Sequence, residues 1–447
     1  MGRLSRAELQ QLNRAKVLAA ARDEFAGRGF RDAKVDGIAE RAGLTRGAVY
    51  SNFPGKRALY FAVLADLAER VPEPPALDGA APDALVRDAH VRDALVRDAL
   101  VRDALVRDAL RDALRDAEVR DAVVDDASPE PPRPIPDSTV SEALGAFARA
   151  WVARLPLTEA DADTDAHEKR GSARLSMHLM PEILADESIR RPFGQLLKLE
   201  AILLGLALER LRPADAPQGR LVRVAEAAFT TLYGATQLAG AAPGFIDPFN
   251  VVRACEQLAG LDLNDTWPPP YLRYTPPARP AGEPWDPPLA VDALRGEPAR
   301  LADDGVVGIL GLHRLEAAEE LVRAAPPGAT VTAVLVTANP GELAPLARLT
   351  VAGLRDCLRH AFPLSAWPRL QVLCDDSGAV AAAAGVPVVS EATEAAVRIA
   401  AGRIVARADG RGACHATAGG GAPHARTPRP RGRRSREGNA TERQPLP

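Results

Sequence analysis

The sequence KVDGIAERAGLTRGAVYSNFPGKRAL, residues 34–59, decides the fold of the N-terminal part of this chain. Its first half places apolar side chains at positions i, i+3, i+4 and i+7, which are Val35, Ile38, Ala39 and Ala42. This spacing predicts a helix with a single buried stripe. Gly43 follows the stripe, and a tight turn is expected there because glycine adopts positive φ without a steric penalty.

A short helix is predicted directly after this turn. Thr45 is a favourable N-cap, because its hydroxyl can accept a hydrogen bond from a backbone N–H of the first helical turn. The helix is expected to run from Arg46 to Phe53, with Val49 and Phe53 pointing into the core. A helix, a glycine-containing turn and a second helix within about 18 residues form a helix-turn-helix pattern. Supporting helices are predicted on either side, from Asn13 to Gly29 and from Gly55 to Arg70.

The side chains of the short helix suit the recognition of double-stranded DNA. Gly47 and Ala48 keep one side of the helix small, so that its backbone can enter a major groove closely. Arg46 can donate two hydrogen bonds to guanine O6 and N7. Hydroxyl and amide groups suited to phosphates or base edges come from Thr45, Tyr50, Ser51 and Asn52. Lys34 and Lys56 flank the motif where the phosphate backbone would pass.

These motifs carry a family resemblance. The runs AARDEFAGRGF (20–30) and KVDGIAERAGLTRGAVYSNFPGKRAL (34–59) resemble the DNA-binding head of the tetracycline-repressor (TetR) family of bacterial regulators. The resemblance implies a cytoplasmic homodimer that binds a palindromic operator, usually as a repressor released by a small-molecule effector. By position, it assigns DNA contacts to Lys34, Thr45, Arg46, Gly47, Ala48, Tyr50, Ser51, Asn52 and Lys56. Lys34 departs from the family, which more often has threonine there, and a lysine would not cap the second helix.

Residues 138–262 are predicted to form the longer helices of a ligand-binding and dimerisation domain. The stretches Phe193–Leu208 and Leu221–Leu238 resemble the two late helices of the family's dimeric four-helix bundle, so a homodimer through helices around 187–240 is expected. Side chains that can line an effector cavity are Phe147, Trp151, Leu175, Met177, Met180, Leu203 and Phe229. The alternative interpretation, that these are ordinary core residues, stays open from the sequence.

The composition is that of a globular protein, and its charge is unevenly distributed. Of 447 residues, 47% are hydrophobic and 26% are charged. No apolar run is long enough to predict a membrane span, and Met1–Glu24 lacks the apolar segment of a signal peptide. The net charge is −3, yet residues 1–70 hold 13 basic and 8 acidic side chains and so carry +5. A basic head on an acidic body indicates a polyanionic partner for the head.

Changes in composition divide the chain into six segments. They are the helix-turn-helix domain 1–70, a repeat spacer 71–137, the helical domain 138–262, a Pro-rich linker 263–289, an α/β domain 290–417 and a disordered basic tail 418–447. The spacer repeats Val-Arg-Asp-Ala with a period of five residues within 84–126. Because this period spirals the leucines around a helix and builds no apolar face, a solvated helical spacer is expected.

Residues 290–417 alternate predicted strands and helices and end in a hairpin, which indicates an α/β sandwich. The runs LQVLCDDSGAVAAAAGV (370–386) and AVRIAAGRIVARADG (396–410) resemble the thioredoxin-like fold in its peroxiredoxin-like form. That fold places its reactive cysteine just after the first strand, where this chain has Gly311-Leu312-His313. No catalytic residue is therefore predicted. Cys374 is expected to be structural, because the acidic residues that follow it disfavour a thiolate.

The predicted fold class is thus multidomain: an all-α TetR-like helix-turn-helix with a helical ligand and dimerisation domain, followed by an α/β domain for which the resemblance implies a thioredoxin-like fold. The predicted function is sequence-specific DNA-binding transcriptional regulation by a protein that is not an enzyme. No cofactor or metal is predicted, since the four cysteines lie far apart and form no Cys-x-x-Cys pair. The alternatives are a thiol oxidoreductase and a redox-sensing regulator that responds to oxidation of Cys255, Cys357 or Cys374.

Overall fold

A computed structural model describes residues 5–70, 138–155, 175, 178–212, 219–267 and 277–419. The repeat at 84–126, Met177 and all but the first two residues of the predicted tail at 418–447 lie outside the described residues. The chain divides into two compact units. The helical unit comprises residues up to Trp267 together with Ala293–Gly296 and Thr337–Pro368. The sheet unit comprises 268–292, 297–336 and the residues from Arg369 onwards.

The N-terminal head has the helices that the sequence predicts. They are α1 (Arg6–Asp32), α2 (Val35–Ala42), α3 (Arg46–Asn52) and α4 (Lys56–Glu69). α1 begins earlier than predicted, because Ser5 and Glu8 form a capping box there. Gly29, predicted as the C-terminal cap of α1, instead produces a kink with φ +72°, after which the helix continues. Gly43 has φ +65° and ends α2, as the turn pattern predicts.

A buried carboxylate fixes α1 against α2. Glu24 is only 2% exposed, and its Oε2 lies 3.1 Å from Nη2 of Arg41. Its Oε1 lies 3.5 Å from Nε of Arg28. A Cβ at position 37 would lie 3.2 Å from Oε1 of Glu24, so Gly37 is what lets α2 pass this close to the carboxylate. The angle at which α2 and α3 leave α1 therefore depends on a polar residue inside the head.

Five helices continue the helical unit. They are α5 (Ser138–Val152), α6 (Leu179–Leu184), α7 (Glu187–Leu211), α8 (Val222–Ala241) and α9 (Pro248–Leu258). α7 packs against α8, and a Cβ at position 205 would lie 2.8 Å from Cα of Val222, so Gly205 permits this close approach. From Leu199 to Leu208 every residue of α7 is buried, as expected of a helix that is apolar on all sides. None of the helices in the described residues is long and apolar enough to cross a membrane.

The sheet unit is built on a six-stranded mixed sheet with the order β1-β8-β7-β4-β5-β6. Its strands are β1 (Arg279–Pro284), β4 (Gly305–Gly311), β5 (Thr330–Val336), β6 (Gln371–Cys374), β7 (Glu394–Ala400) and β8 (Arg403–Asp409). β4, β5 and β6 run parallel, whereas β7, β8 and β1 join by antiparallel pairing. A separate ribbon pairs β2 (Val291–Asp292) with β3 (Glu297–Pro298), and the short helices are α10 (Ala317–Ala324), α12 (Ala379–Ala383) and α13 (Ala413–Ala418). The predicted alternation and hairpin are present, while the thioredoxin-like identity stays a prediction.

The predicted Pro-rich linker 263–289 contains a strand, and this part of the prediction is wrong. Arg279–Pro284 pairs with β8 as β1, and Pro280 lies opposite Ala406. Proline lacks a backbone N–H and is tolerated in a sheet at its edge, which is where β1 lies. The composition indicated a linker because prolines are rare within strands. The strand depends on its pairing with β8, which the local sequence does not reveal.

The helix after β5 belongs to the helical unit. This helix, α11 (Pro340–Ala361), connects β5 to β6 in the chain, and the sequence places it in the α/β domain 290–417. It packs instead against α4, α5 and α7. Its buried apolar residues include Leu346, Val351, Leu354 and Leu358. The helical unit is thus completed by a segment from the C-terminal half of the chain.

We expect that a chain ending at Trp267 has a less stable helical unit than the full chain. Removing α11 exposes apolar faces of α4, α5 and α7 to water, and each buried aliphatic side chain contributes about 1.5–3 kcal/mol. The fragment 1–267 should therefore unfold about 10 °C or more below the full chain, or aggregate. Thermal circular dichroism and sedimentation check this outcome.

The matched control is the fragment 1–419, which keeps α11 and should melt like the full chain. A fragment 1–267 that stays monodisperse and retains the thermal stability of the full chain's helical transition would contradict the assignment of α11 to this core.

Candidate nucleic-acid interface and effector cavity

The third helix of the head presents an exposed face on a buried base. Thr45 caps α3, with its Oγ1 accepting a hydrogen bond from the backbone N–H of Ala48 at 3.2 Å. Val49 and Phe53 are buried, as predicted, and anchor the helix in the head. Among the predicted contact residues from Thr45 to Asn52, those that remain exposed are Thr45, Arg46, Gly47, Tyr50 and Ser51. The burial of Val49 and Phe53 therefore determines which face of α3 is exposed to solvent.

Arg46 lies between α2 and α3 on this surface. Its Nη1 lies 3.4 Å from a carboxylate oxygen of Asp36, and its guanidinium carbon lies 5.6 Å from the centroid of the Tyr50 ring. A hydrogen bond with Tyr50 and the charge of Asp36 raise the pKa of Arg46 further above its usual value. The Arg46 side chain is charged and lies at the N-terminal end of α3. There the edge of a base can replace Asp36 as its hydrogen-bond acceptor.

Ser51 and Asn52 bond within their own helix. Oγ of Ser51 and Nδ2 of Asn52 both donate hydrogen bonds to the carbonyl oxygen of Ala48, at 2.9 Å and 2.8 Å. Arg14 donates from Nη1 to the carbonyl oxygen of Asn52 at 3.0 Å and covers the ring of Phe53. A DNA contact in which Ser51 donates its hydroxyl hydrogen must therefore replace or share an existing bond, whereas a contact in which either side chain accepts a hydrogen bond need not.

The two flanking lysines differ in their surroundings. Lys34 is exposed and precedes α2 without a side-chain capping bond, as the sequence predicts. Lys56 donates from Nζ to the carbonyl oxygen of Arg31 at 3.0 Å and lies 4.7 Å from the centroid of the Phe30 ring. Its partial burial lowers its pKa. Lys56 thus stabilises the end of α1 in the head itself, and its contact with a phosphate stays a prediction.

The helical unit contains a partly open cavity of about 160 Å³. Residues from α5 to α8 and from α11 form its wall, with two residues beyond the end of α5. The lining residues are Trp151, Arg154, Leu155, Leu179, Met180, Phe193, Glu200, Tyr233, Thr236, Gln237, Leu349, Thr350 and Gly353. Aromatic and aliphatic side chains make up most of the wall, which is typical of a small-molecule site.

A buried carboxyl group lies in this apolar wall. Glu200 of α7 is 3% exposed, and its Oε2 accepts a hydrogen bond from Oη of Tyr233 at 3.0 Å. Burial raises the pKa of Glu200 to about 8, although the Tyr233 bond acts in the opposite direction. Burial and the neighbouring Glu200 likewise raise the pKa of Tyr233 well above its usual value. At neutral pH the pair is therefore a carboxylic acid and a phenol, both uncharged.

Three other polar side chains of the wall, Arg154, Trp151 and Thr236, already have hydrogen-bond partners. Arg154 lies 2.5 Å from a carboxylate oxygen of Asp356 and donates to the carbonyl oxygen of Gly353 at 3.2 Å. Nε1 of Trp151 donates to Oγ1 of Thr236 at 3.0 Å. The ring of Trp151 also lies 5.0 Å from that of Tyr233, measured between centroids. The cavity thus has one compensated cation and one acid without a cationic partner among the described residues.

The structure places the seven predicted ligand residues in different positions. Trp151 and Met180 line the cavity, whereas Phe147 and Phe229 are buried behind Trp151 in ring contact with it. Leu175 and Leu203 are buried and do not belong to the described wall, and Met177 lies outside the described residues. Sequence reasoning missed Glu200, although a single acid inside the apolar run 193–208 was a visible signal. It also missed the contributions of α11, for which the chain offers no local signal.

Arg57 of the head forms ion pairs at the start of two helices that line the cavity, α7 and α11. Nη2 of Arg57, in α4, lies 2.8 Å from Oδ2 of Asp186 at the start of α7, and its Nε lies 2.5 Å from Oε1 of Glu342 in the first turn of α11. Hydrogen bonds from Ser188, followed by that from Arg57, lower the pKa of Asp186 to about 2. A Cβ at position 341 would lie 3.0 Å from Cγ of Pro54, so Gly341 lets the start of α11 contact the end of the helix-turn-helix.

Cys255, Cys357 and Cys414 are buried, and these surroundings disfavour a thiolate. Burial raises the pKa of Cys255 and of Cys357 to about 12, and it raises the pKa of Cys414 well above its usual value. In the sheet unit, a Cβ at position 311 would lie 2.2 Å from the carbonyl oxygen of Ser390. Position 311, the first of the three residues at which the thioredoxin-like resemblance predicts a cysteine, therefore has no room for a side chain. Nothing in these surroundings favours the redox alternatives.

Comparison with known proteins identifies the head. Residues 17–63 match the family model described as bacterial regulatory proteins, tetR family. The HTH-type transcriptional regulator SrpR of Pseudomonas putida is 45% identical over 65 residues, which are 14% of this chain and 30% of that relative. The uncharacterized HTH-type transcriptional regulator TtgW, also of Pseudomonas putida, is 45% identical over 65 residues, 14% of this chain and 48% of that relative. The matches thus span less than half the length of either relative.

Among solved structures, the fatty acid degradation regulator FadR from Bacillus halodurans is similar over 56% of this chain and 98% of its own. The sequence identity is 15% and the TM-score is 0.20, so this likeness supports no conclusion about the fold or the ligand.

We expect that Glu200→Gln makes the helical unit less sensitive to rising pH. Because the folded-state pKa of Glu200, about 8, lies above the value near 4.3 of an unfolded chain, the folded state holds this proton more tightly. The parent chain therefore loses up to about 1.4 kcal/mol of stability per pH unit from about pH 4.5 to about pH 8 through this group, and the glutamine variant does not.

The measurement is thermal unfolding of both chains between about pH 5 and pH 8. The stability of the variant relative to the parent should rise across this window. Glu142→Gln, an exposed position of α5, is the control and should show a constant difference. A constant difference for Glu200→Gln as well would contradict its protonation at neutral pH.

Proposed function

We propose that this chain, whose N-terminal head is a tetR-family domain, is a DNA-binding transcriptional regulator that acts as a homodimer on a palindromic operator and is released by a small-molecule effector. The observation that carries the proposal is the exposed face of α3, from Thr45 to Ser51, held by the buried Val49 and Phe53. Because a regulator of this kind needs access to the chromosome, we place it in the bacterial cytoplasm.

In this proposal α3 lies in the major groove. Arg46 reads a guanine through its two-donor edge, and Gly47 and Ala48 leave room for the backbone to approach. Tyr50 and Thr45 contribute hydroxyl groups at the same exposed face, while Lys34 contacts the phosphate backbone and sets the position of the head. Salt weakens such binding, because each neutralised phosphate releases counterions.

A second copy of the chain is needed for a site long enough to be specific. A helix as short as α3 reads only a few base pairs, so regulators of this type use two half-sites about one helical turn apart. The surface of α8 supports this arrangement: Thr230, Gly234 and Leu238 follow one another at four-residue spacing. Leu238 is 41% exposed, and nothing lies within 4 Å of a Cβ built at position 234. We place the dimer contact on this strip and the adjoining part of α7.

The effector site is proposed to be the cavity between α5, α7, α8 and α11. Its wall and the head are joined by α11, because Leu349, Thr350 and Gly353 line the cavity while Glu342 of the same helix pairs with Arg57. A ligand that displaces α11 or α7 changes the position of α4 through the two ion pairs of Arg57. Release from DNA then follows from a changed distance between the two heads of the dimer.

We expect that Arg46→Ala lowers the specificity of DNA binding. An operator is first selected from random duplexes with the purified chain, and affinities for this operator and for random DNA are then measured by fluorescence anisotropy. Loss of a two-donor contact to guanine costs about 1–3 kcal/mol, which is about 5- to 150-fold in operator affinity. Affinity for random DNA should fall much less, because one of several phosphate-attracting charges is lost.

Arg253→Ala, an exposed position of α9 distant in sequence from the head, is the matched control and should bind both duplexes like the parent chain. Operator binding by Arg46→Ala at the parent's affinity would contradict the role of Arg46. Failure of the parent chain to select or bind any duplex at low salt would contradict the proposed function as a whole.

We also expect the parent chain to sediment as a dimer and Leu238→Glu to sediment as a monomer. A carboxylate at position 238 would be buried without a partner in the dimer, which is strongly unfavourable. Loss of the second half-site should lower operator affinity by about 100-fold or more. Val388→Glu, on an exposed side chain of the sheet unit, is the control and should remain dimeric. A dimeric Leu238→Glu chain would place the contact elsewhere.

A further inference from the structure

The cavity of the helical unit contains one ionisable group that none of the described residues neutralises. Glu200 is 3% exposed and lines the cavity, and its hydrogen-bond partner is the neutral phenol of Tyr233 at 3.0 Å. A carboxyl group buried without a cation is unfavourable when ionised, so it either keeps its proton or obtains a positive charge from outside. In the ligand-free protein Glu200 keeps its proton, because burial raises its pKa.

The surroundings of Glu200 are those that bind organic cations in other proteins. Trp151, Phe193 and Tyr233 line the same cavity, with the Tyr233 ring 5.0 Å from that of Trp151 and 6.2 Å from that of Phe193. Aromatic faces attract ammonium groups through their quadrupoles, and this attraction is largest where water is excluded. A carboxylate among aromatic rings therefore offers a positive ligand two favourable interactions that a neutral ligand does not receive.

An anionic ligand would find no comparable favourable interactions in this cavity. The cation of the cavity, Arg154, lies 2.5 Å from Asp356 and also donates to the carbonyl oxygen of Gly353, so it is already neutralised. An acidic ligand would have to displace Asp356 and would lie in the same cavity as Glu200. The volume of about 160 Å³ is comparable to the roughly 150 Å³ of a cavity that accommodates a single benzene ring. The part of the ligand that enters the cavity is accordingly about the size of one aromatic ring.

We propose that the cavity binds an organic monocation, an amine or quaternary ammonium with an apolar body of about one aromatic ring, whose charge is neutralised by the carboxylate of Glu200 between Trp151 and Tyr233. This inference rests on the effector site of the proposed function and names the chemical class of its ligand. Binding ionises Glu200: the proton leaves Oε for solvent, and the positive charge of the ligand takes its place.

Proton release gives the inference a specific signature. The groups that reach Glu200 or its cavity from the surrounding elements are Tyr233 of α8, Cys357 of α11 and the Arg154–Asp356 pair, while α6 contributes the uncharged Leu179 and Met180. Burial raises the pKa of both Cys357 and Tyr233, so these two stay protonated near neutral pH. Affinity for a cation should therefore rise about tenfold per pH unit below the pKa of Glu200, about 8, and level off above it.

The experiment is isothermal titration of the full chain with phenyltrimethylammonium and with tert-butylbenzene, its neutral isostere. The expected result is at least tenfold tighter binding of the cation near pH 8, about one proton released per cation near pH 7, and no rise with pH for the isostere. Glu200→Gln should lose the preference for the cation and its pH dependence. Glu226→Gln, a carboxylate of α8 that pairs with Lys198 and does not line the cavity, is the matched control and should bind the cation like the parent.

A second variant keeps the inference testable if Glu200→Gln does not fold. Tyr233→Phe removes the hydrogen bond to the carboxylate, so cation affinity near pH 7 should fall by about 3- to 10-fold and the pH midpoint should move upward. Equal affinity for both ligands, an affinity for the cation that falls with pH, or a Glu200→Gln chain that binds the cation like the parent would each overturn the inference.

The DNA measurement separates this inference from the proposed function. If tert-butylbenzene or benzoate binds and weakens operator binding while the cation does not bind, the effector site stands and the cationic class is wrong. If the cation binds with the expected pH dependence but operator affinity is unchanged, the cationic class stands and release by an effector at this cavity is wrong.

Discussion

The burial of one helix from the C-terminal half of the chain is the constraint on which the helical unit depends. α11 lies between β5 and β6 in the sequence, yet its apolar residues pack against α4, α5 and α7. Burying these residues removes them from water and completes the wall of the cavity at Leu349, Thr350 and Gly353. The same helix contacts the head at its first turn, through Glu342 and Gly341. Core, cavity and head therefore share one element.

Placing a cavity wall and a head contact on a single rigid helix gives a direct mechanical route between them. The contacts of α11 with its neighbouring helices have few alternative arrangements, since close-packed side chains do not deform continuously. Arg57 bonds to both Asp186 and Glu342, so a shift of α7 relative to α11 stretches one of its ion pairs. In the proposed regulator, the effector thus acts on the head through α4 by means of the differential contacts it makes with these two helices.

The second organising feature is a polar group kept inside an apolar region in each part of the helical unit. Glu24 in the head is buried but paired with Arg41, and it lies so close to α2 that a Cβ at position 37 would be 3.2 Å from its Oε1. Glu200 in the cavity is buried with Tyr233 as its hydrogen-bond partner. The two residues have the same chemistry and different surroundings: Glu24 has Arg41 as an ion-pair partner, whereas burial raises the pKa of Glu200.

The sequence by itself determined the local structure that repeats over a few residues. The spacing of Val35, Ile38 and Ala39, the positive φ at Gly43 and the cap at Thr45 all depend on neighbours within one or two helical turns. The helix-turn-helix and the order of strands and helices after Gly305 were predictable for this reason, as was the inward direction of Val49 and Phe53. The tetR-family identity of the head followed from the same short run.

Only the tertiary structure decided which elements meet. The strand at Arg279–Pro284 exists through pairing with β8 more than 110 residues later, and its prolines hid it from a composition-based reading. The membership of α11 in the helical core depends on which apolar face covers which, and hydrophobic burial is non-directional, so no local pattern specifies the partner. The placement of Glu200 opposite Tyr233 and the paired state of Arg154 likewise arise from contacts between distant segments. For this reason the helix α3 could be predicted from the sequence, whereas the chemistry of the cavity could not.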